Sequence, residues 1–166
     1  GLARGDDRRY AMAVLHTLLG GGMSSRLFQE VRERRGLAYT VAAFRSGYND
    51  AGIFGVHAGC APEKVVPTLE VIDTVLHDLL AEGIAERELV AAKNQVKGQM
   101  VLDLEDPGIR LMRLGVRALF DEPIIALSEG LAAVDAVTKQ EVEDLAGELF
   151  TGPAVEVTVG PWEGVA

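Results

Sequence analysis

A chain of 166 residues, 48% hydrophobic and 25% charged, has the length and make-up of one globular domain large enough for a real core. Sixteen Lys and Arg against twenty-five Asp and Glu leave a net charge of -9, which argues against nucleic acid or an anionic membrane as partner, since both need a basic footprint. No apolar run approaches the roughly 18 residues of a membrane span, and one cysteine excludes an internal disulfide framework and fits a reducing compartment.

The opening GLARGDDRRY starts on Gly rather than Met and has neither the apolar centre of a secretory signal nor the acid-poor look of a transit peptide, so it reads as the start of a chain cut from something longer or of one whose beginning was removed. Residues 7–19 place Tyr10, Val14, Leu15, Leu18 and Leu19 at helical spacing and run into Gly20, Gly21 and Gly22. These glycines read as a helix stop, because glycine accepts left-handed dihedrals, and Ser24 or Ser25 then stands where a cap for the next helix is needed. In that next helix Leu27, Phe28 and Val31 form the apolar stripe, with Arg32 at its border. Gly36 stops the helix, and Tyr39 follows at the entrance of a strand. Arg26, Arg32, Arg34 and Arg35 against Glu30 and Glu33 make a local charge of +2 in an acidic protein. Such a patch is ordinarily a solvated face, though it can attract a carboxylate or polarise a carbonyl. Without further context Arg32 reads as a snorkelling surface residue and Tyr39 as an amphipathic core residue.

Residues 38–47 and 52–60 read as the strands of a hairpin around Asn49, Asp50 and Gly52. Gly47, Gly52, Gly55 and Gly59 point to bulges or close backbone approach, since no phosphate-loop spacing surrounds them. Period two puts Cys60 on the side of Phe54, Val56 and Ala58 and His57 on the other, so H-x-x-C is not a metal half-site and Cys60 is expected buried and inert. Pro62 and Glu63 open a helix that buries Val65, Val66, Leu69, Ile72, Leu76, Leu79 and Leu80 and ends at Gly83. A helix over 86–105 turns Leu89, Ala92, Val96 and Met100 inward until Asp106, Pro107 and Gly108 break it. The acids Asp103, Glu105 and Asp106 lack calcium-loop spacing and read as a solvated helix end. Helices follow over 109–120 and 124–134. Thr138 and Glu141 form a capping box for a last helix carrying Val142, Leu145 and Leu149, and residues 154–160, AVEVTVG, alternate like a strand. The sum is an α+β architecture, an antiparallel β-sheet with helices packed on one side.

The string GGGMSSRLFQEVRERRGLAYTV, followed in order by GYNDAGIFGVHAG, APEKV, ERELVAAKNQVKGQMVLDLED and VEVTVGP, resembles the C-terminal homologous domain of the pitrilysin and insulinase family of zinc metallopeptidases, in its mitochondrial-processing-peptidase-like branch. The resemblance covers nearly the whole chain. It implies that residues 1–166 are a single domain, the C-terminal non-zinc half of a hydrolase that encloses extended peptides. It also implies that the sheet is missing its first strand, leaving an edge exposed or filled by another chain. Arg32 and Tyr39 match an Arg and a Tyr seven residues later that, in the family, reach over the substrate and stabilise the developing tetrahedral intermediate.

The family's zinc motif is an inverted H-x-x-E-H. Here the residues four after His16, His57 and His77 are Gly20, Ala61 and Ala81, so this piece is expected to bind no zinc and to cleave nothing alone. Zinc is expected in the full-length or assembled enzyme, on a partner N-terminal homologous half that is either the same chain or a separate subunit. Gly20 to Gly22 lack the family's long glycine-rich insertion and are read as structural. The alternative function is a non-catalytic assembly subunit of the same fold, and a generic α+β binding module is the third. No nucleic acid or membrane partner is expected, and a homo-oligomer stays open. Arginine outnumbers lysine twelve to four, which loosely suggests a bacterial source. The bacterial cytoplasm is the expected compartment, with the mitochondrial matrix as the alternative.

Overall fold

The computed structural model describes residues 1–161. Helix α1 (Arg9–Gly20) buries Met12, Val14, Leu15, Leu18 and Leu19, and its sides meet β1, α3 and α6. Each such fully buried side chain contributes about 1.5–3 kcal/mol, which makes α1 the axis of the core. A π-helical segment (Phe28–Arg34) follows, then strands β1 (Ala38–Gly47) and β2 (Gly52–Cys60), then helices α2 (Val65–Glu82), α3 (Glu86–Glu105), α4 (Pro107–Leu119), α5 (Leu127–Ala136) and α6 (Lys139–Phe150). The two strands form an antiparallel sheet, and among the described residues no further strand joins it. This is the expected α+β class, with α1 laid on one face of a narrow sheet.

Several elements differ from the sequence expectation. Residues 154–160 form no strand and pair with no strand among the described residues, and Val155, Val157 and Val159 stand largely exposed. Alternation describes the two faces a strand would have, but a strand also needs a neighbouring backbone, and among the described residues none is offered here. The glycine stop is also not left-handed: positive φ occurs among described glycines only at Gly36 (φ 55°) and Gly83 (φ 72°). Gly20 is instead a contact point, since a Cβ there would lie 2.3 Å from the Ala43 nitrogen. Neither Ser24 nor Ser25 caps the following segment. The Ser25 hydroxyl turns back and donates to Gly22 O at 2.6 Å.

In α2 the buried positions are Thr68, Val75 and Leu79, while Val66 and Leu80 face out. The inward stripe runs 68, 72, 75, 79, and a polar Thr at its head disguises its phase. Cys60 is half-buried against the core rather than sealed in it. Helix α5 starts at Leu127 because residues 120–121 form a turn and 122–126 are irregular, with Asp121 at φ 55° and the Arg117 guanidinium donating to Pro123 O.

The capping box of α6 is present: Glu141 N–H donates to Thr138 Oγ1 at 3.2 Å and Thr138 N–H to Glu141 Oε2 at 2.7 Å. Asp106 is the N-cap of α4, its Oδ1 accepting from Gly108 N–H (2.7 Å) and Ile109 N–H (3.1 Å), so it is more than a solvated helix end. Helix α4 buries no residue. Arg113 and Arg117, on its basic side, are half-buried, while Leu111, Met112 and Leu119, on the opposite side, are largely exposed.

Candidate functional site

The pairing of β1 with β2 sets the geometry around Tyr39. From Thr40 onward each residue of β1 has its partner, with Thr40 opposite Gly59, Val41 opposite Ala58 and Ala43 opposite Val56, but Ala38 is already opposite Cys60. One residue too many lies on β1 between these pairs, and that residue is Tyr39. The bulge changes which face each side chain takes. Val41 and Ala43 point to the helices, so strict alternation would put Tyr39 with them in the core. Ala38 occupies that inward position instead, buried to 6% exposure, and Tyr39 is turned out to 71%. Its ring lies across Gly59, where a Cβ would sit 2.8 Å from Tyr39 Cε2. Phe44 lies in the same manner across Gly55, on the same open face.

Arg32 sits on the other irregular element. The π-helical segment buries Leu27 and Val31 completely and ends where Gly36, at φ 55°, donates its N–H to Arg32 O (3.0 Å) while Leu37 N–H reaches Val31 O (2.9 Å). Wider helical turns of this kind occur mostly as short insertions, frequently at functional sites. The four arginines of the segment do not share one fate. Arg26 donates to both carboxylate oxygens of Glu88 (2.9 and 2.8 Å) and to Gly83 O (2.8 Å), and this hydrogen bonding holds the Glu88 carboxyl below its ordinary pKa. Arg34 and Arg35 both grip Glu30. Arg32 is left with its guanidinium 4.8 Å above the Phe28 ring and its Nε 4.0 Å from Glu33 Oε1, half exposed. The +2 patch thus resolves into three arginines held by carboxylates, two of them sharing Glu30, and one, Arg32, whose donors make no hydrogen bond among the described residues.

The loop from Arg32 to Tyr39 is tied down by Lys64, which donates to Gly36 O at 2.8 Å. No hydrogen bond, ion pair or ring contact joins Arg32 to Tyr39 among the described residues. The two present a guanidinium and a phenol to solvent, each a donor to a carbonyl oxygen. Sequence reading singled out Arg32 and Tyr39 but not Phe28 or Lys64, which position them. Gly59 carried a visible signal, since a glycine inside a strand marks close approach of another group.

The histidines are dispersed. His16 Nε2 is 3.0 Å from Ala43 O, and burial, with Arg45 nearby, lowers its pKa. His77 Nδ1 is 2.9 Å from Asp73 O, and His57 lies on the open sheet face, its ring 6.4 Å from that of Phe44. Among the described residues no group of three or more His, Cys, Asp or Glu side chains is placed to hold a metal ion. The described residues therefore do not fit a catalytic zinc.

Comparison with known proteins adds the following. Residues 1–96 match the family described as the Peptidase M16 inactive domain. A zinc protease of Streptomyces coelicolor, itself uncharacterized, is 44% identical over 97% of this chain and 35% of its own length. The alpha subunit of the mitochondrial-processing peptidase of Neurospora crassa is 32% identical over 93% of this chain and 29% of its own. The crystal structure of a peptidase M16 inactive domain from Pseudomonas fluorescens superposes with a TM-score of 0.80 at 25% identity, over 90% of this chain and 35% of that one. The chain spans about a third of the length of the curated relatives it matches, 35% in the first case.

Proposed function

Because this chain belongs to the Peptidase M16 inactive-domain family, we propose that it is the non-zinc, C-terminal half of a zinc-dependent metalloendopeptidase, closing over extended peptides held by the other half. Zinc and the general base are assigned to that other half, since the three histidines here stand on α1, β2 and α2 and two of them are engaged with backbone carbonyls. Arg32 and Tyr39 are the residues this half contributes. Each donates a hydrogen bond to a peptide carbonyl oxygen as it gains negative charge, and donors of this kind lower the barrier by about 2.7–4 kcal/mol apiece.

The observation that carries the reading is that both residues are turned outward by a local departure from regular structure, a π-helical segment and a bulge, and neither donor is consumed inside the domain. The test uses the full-length protein and an internally quenched peptide. Arg32→Ala should lower kcat by about 10²–10³-fold with an unchanged circular dichroism spectrum, and Arg32→Lys should restore only part of it. Cleavage untouched by Arg32→Ala would refute the role. Similarity to a processing-peptidase alpha subunit favours one further possibility, a half carried as a separate polypeptide and serving only for assembly. In that case Arg32→Ala leaves cleavage by the assembled protein unchanged.

A further inference from the structure

At the far end of β1 from Tyr39, about 20 Å along the strand at roughly 3.3 Å per residue, a cavity of about 620 Å³ opens between the first residues of the chain, the start of α1 and the end of β1. Its charge is out of keeping with the protein. The whole chain carries -9, yet Arg4, Arg9 and Arg45 all line this cavity, and no Asp or Glu does.

The three guanidiniums are poorly answered by the protein. Arg45 makes no ion pair or hydrogen bond among the described residues. The nearest carboxylate of Arg9 is that of Asp7, 4.0 Å away and fully exposed. Arg4 stacks on Phe120 at 4.0 Å and reaches Gly47 O at a long 3.4 Å, while its Nε is buried with no partner among the described residues. A buried N–H of a charged group left unpaired is costly, so Arg4 is held at a disadvantage unless something negative completes the site. The remaining wall is largely apolar and includes Leu2, Met12 and Ala43.

We propose that this cavity binds a small organic anion, a carboxylate or phosphate group held by Arg4, Arg9 and Arg45 with its apolar body against Leu2 and Met12. The volume suits a small-molecule ligand, and an apolar wall with a few convergent polar groups is the usual form of such sites. His16, on the same wall, reports on occupancy. Burial and the Arg45 charge depress its pKa, and a bound anion offsets the Arg45 charge and moves the His16 pKa upward.

The experiment uses the full-length protein and three probes: inorganic phosphate, hexanoate and uncharged 1-hexanol. Calorimetric titration should give saturable binding of hexanoate or phosphate, the two arms separating a carboxylate from a phosphate preference, and none of hexanol. Binding should weaken at least tenfold in Arg45→Gln and fall with added salt. In the unmutated protein, histidine-selective NMR should show the His16 titration shifting to higher pH with the binding anion. The proposal is overturned if neither anion binds, if hexanol binds as well as hexanoate, if Arg45→Gln binds as tightly as the parent, or if His16 does not respond to the anion that binds.

Discussion

Replacing Gly59 by alanine tests whether the placement of Tyr39 matters, because it touches Tyr39 without touching its hydroxyl. The added methyl would lie 2.8 Å from Tyr39 Cε2 and 2.8 Å from Thr40 Cγ2, the two arms of the bulge. Ordinary carbon contacts are about 3.5–4.0 Å, so the ring must retreat by roughly 0.7–1.2 Å. Gly59 does not have positive φ, so alanine is tolerated by the backbone itself, and its smaller unfolded-state entropy offsets part of the crowding. Stability should therefore change by no more than about 1 kcal/mol. A misplacement of about 1 Å can cost about 10²-fold in rate, so kcat of the full-length protein should fall by about 10- to 100-fold. The assay is steady-state cleavage of a quenched peptide by four proteins: the parent, Gly59→Ala, Tyr39→Phe and the double variant. If the alanine acts through Tyr39, it costs nothing further once the hydroxyl is gone. An equal loss from Gly59→Ala in both backgrounds, or no loss in the parent, refutes the argument.

Two further outcomes follow from the packing. Gly20→Ala would set a methyl 2.3 Å from the backbone nitrogen of Ala43, which cannot swing aside as a side chain can, so it should destabilise by about 1–3 kcal/mol, read as a lower urea midpoint. The half-buried Arg26–Glu88 pair gives a pH signature. Its hydrogen bonding lowers the Glu88 pKa in the folded state, so the stability it provides is present above the ordinary glutamate value of 4.5 and is lost as pH falls through the depressed one. Glu88→Gln should be less stable than the parent at pH 7, and the gap should close in acid. A constant gap across that range would refute the assignment.

The helices were legible because their signals are local and redundant. α1, α3 and α6 each combine a 3.6-residue apolar rhythm with a recognisable start or stop, and the hairpin announced itself through Asn49 and Asp50. The phase of α2 was harder to read because Thr68, a polar residue, is buried at the head of its stripe. What could not be read was whatever depends on a second segment of chain. Residues 154–160 have the composition of a strand, yet pairing is a property of two backbones. The role of Gly20 is set by Ala43, twenty-three positions away.

At the candidate site, Arg32 and Tyr39 could be named only from the family resemblance. Period-two reading, however, would have buried Tyr39, since a bulge appears in sequence only as an extra residue with no mark of its own. The division of the arginines was likewise hidden, because Glu88, which neutralises Arg26, arrives from sixty-two residues downstream.

Helix α4 has a practical consequence for handling the protein. With Leu111, Met112 and Leu119 facing water and two of its arginines drawn toward the domain, it presents a greasy strip on a molecule whose net charge of -9 would otherwise keep copies apart. Sulfate salts act on both terms at once, screening the mutual repulsion and strengthening apolar association. This piece of chain should therefore be retained on a phenyl resin at sulfate concentrations where an equally acidic protein with a wholly polar surface runs through. Leu111→Glu with Leu119→Glu should release it.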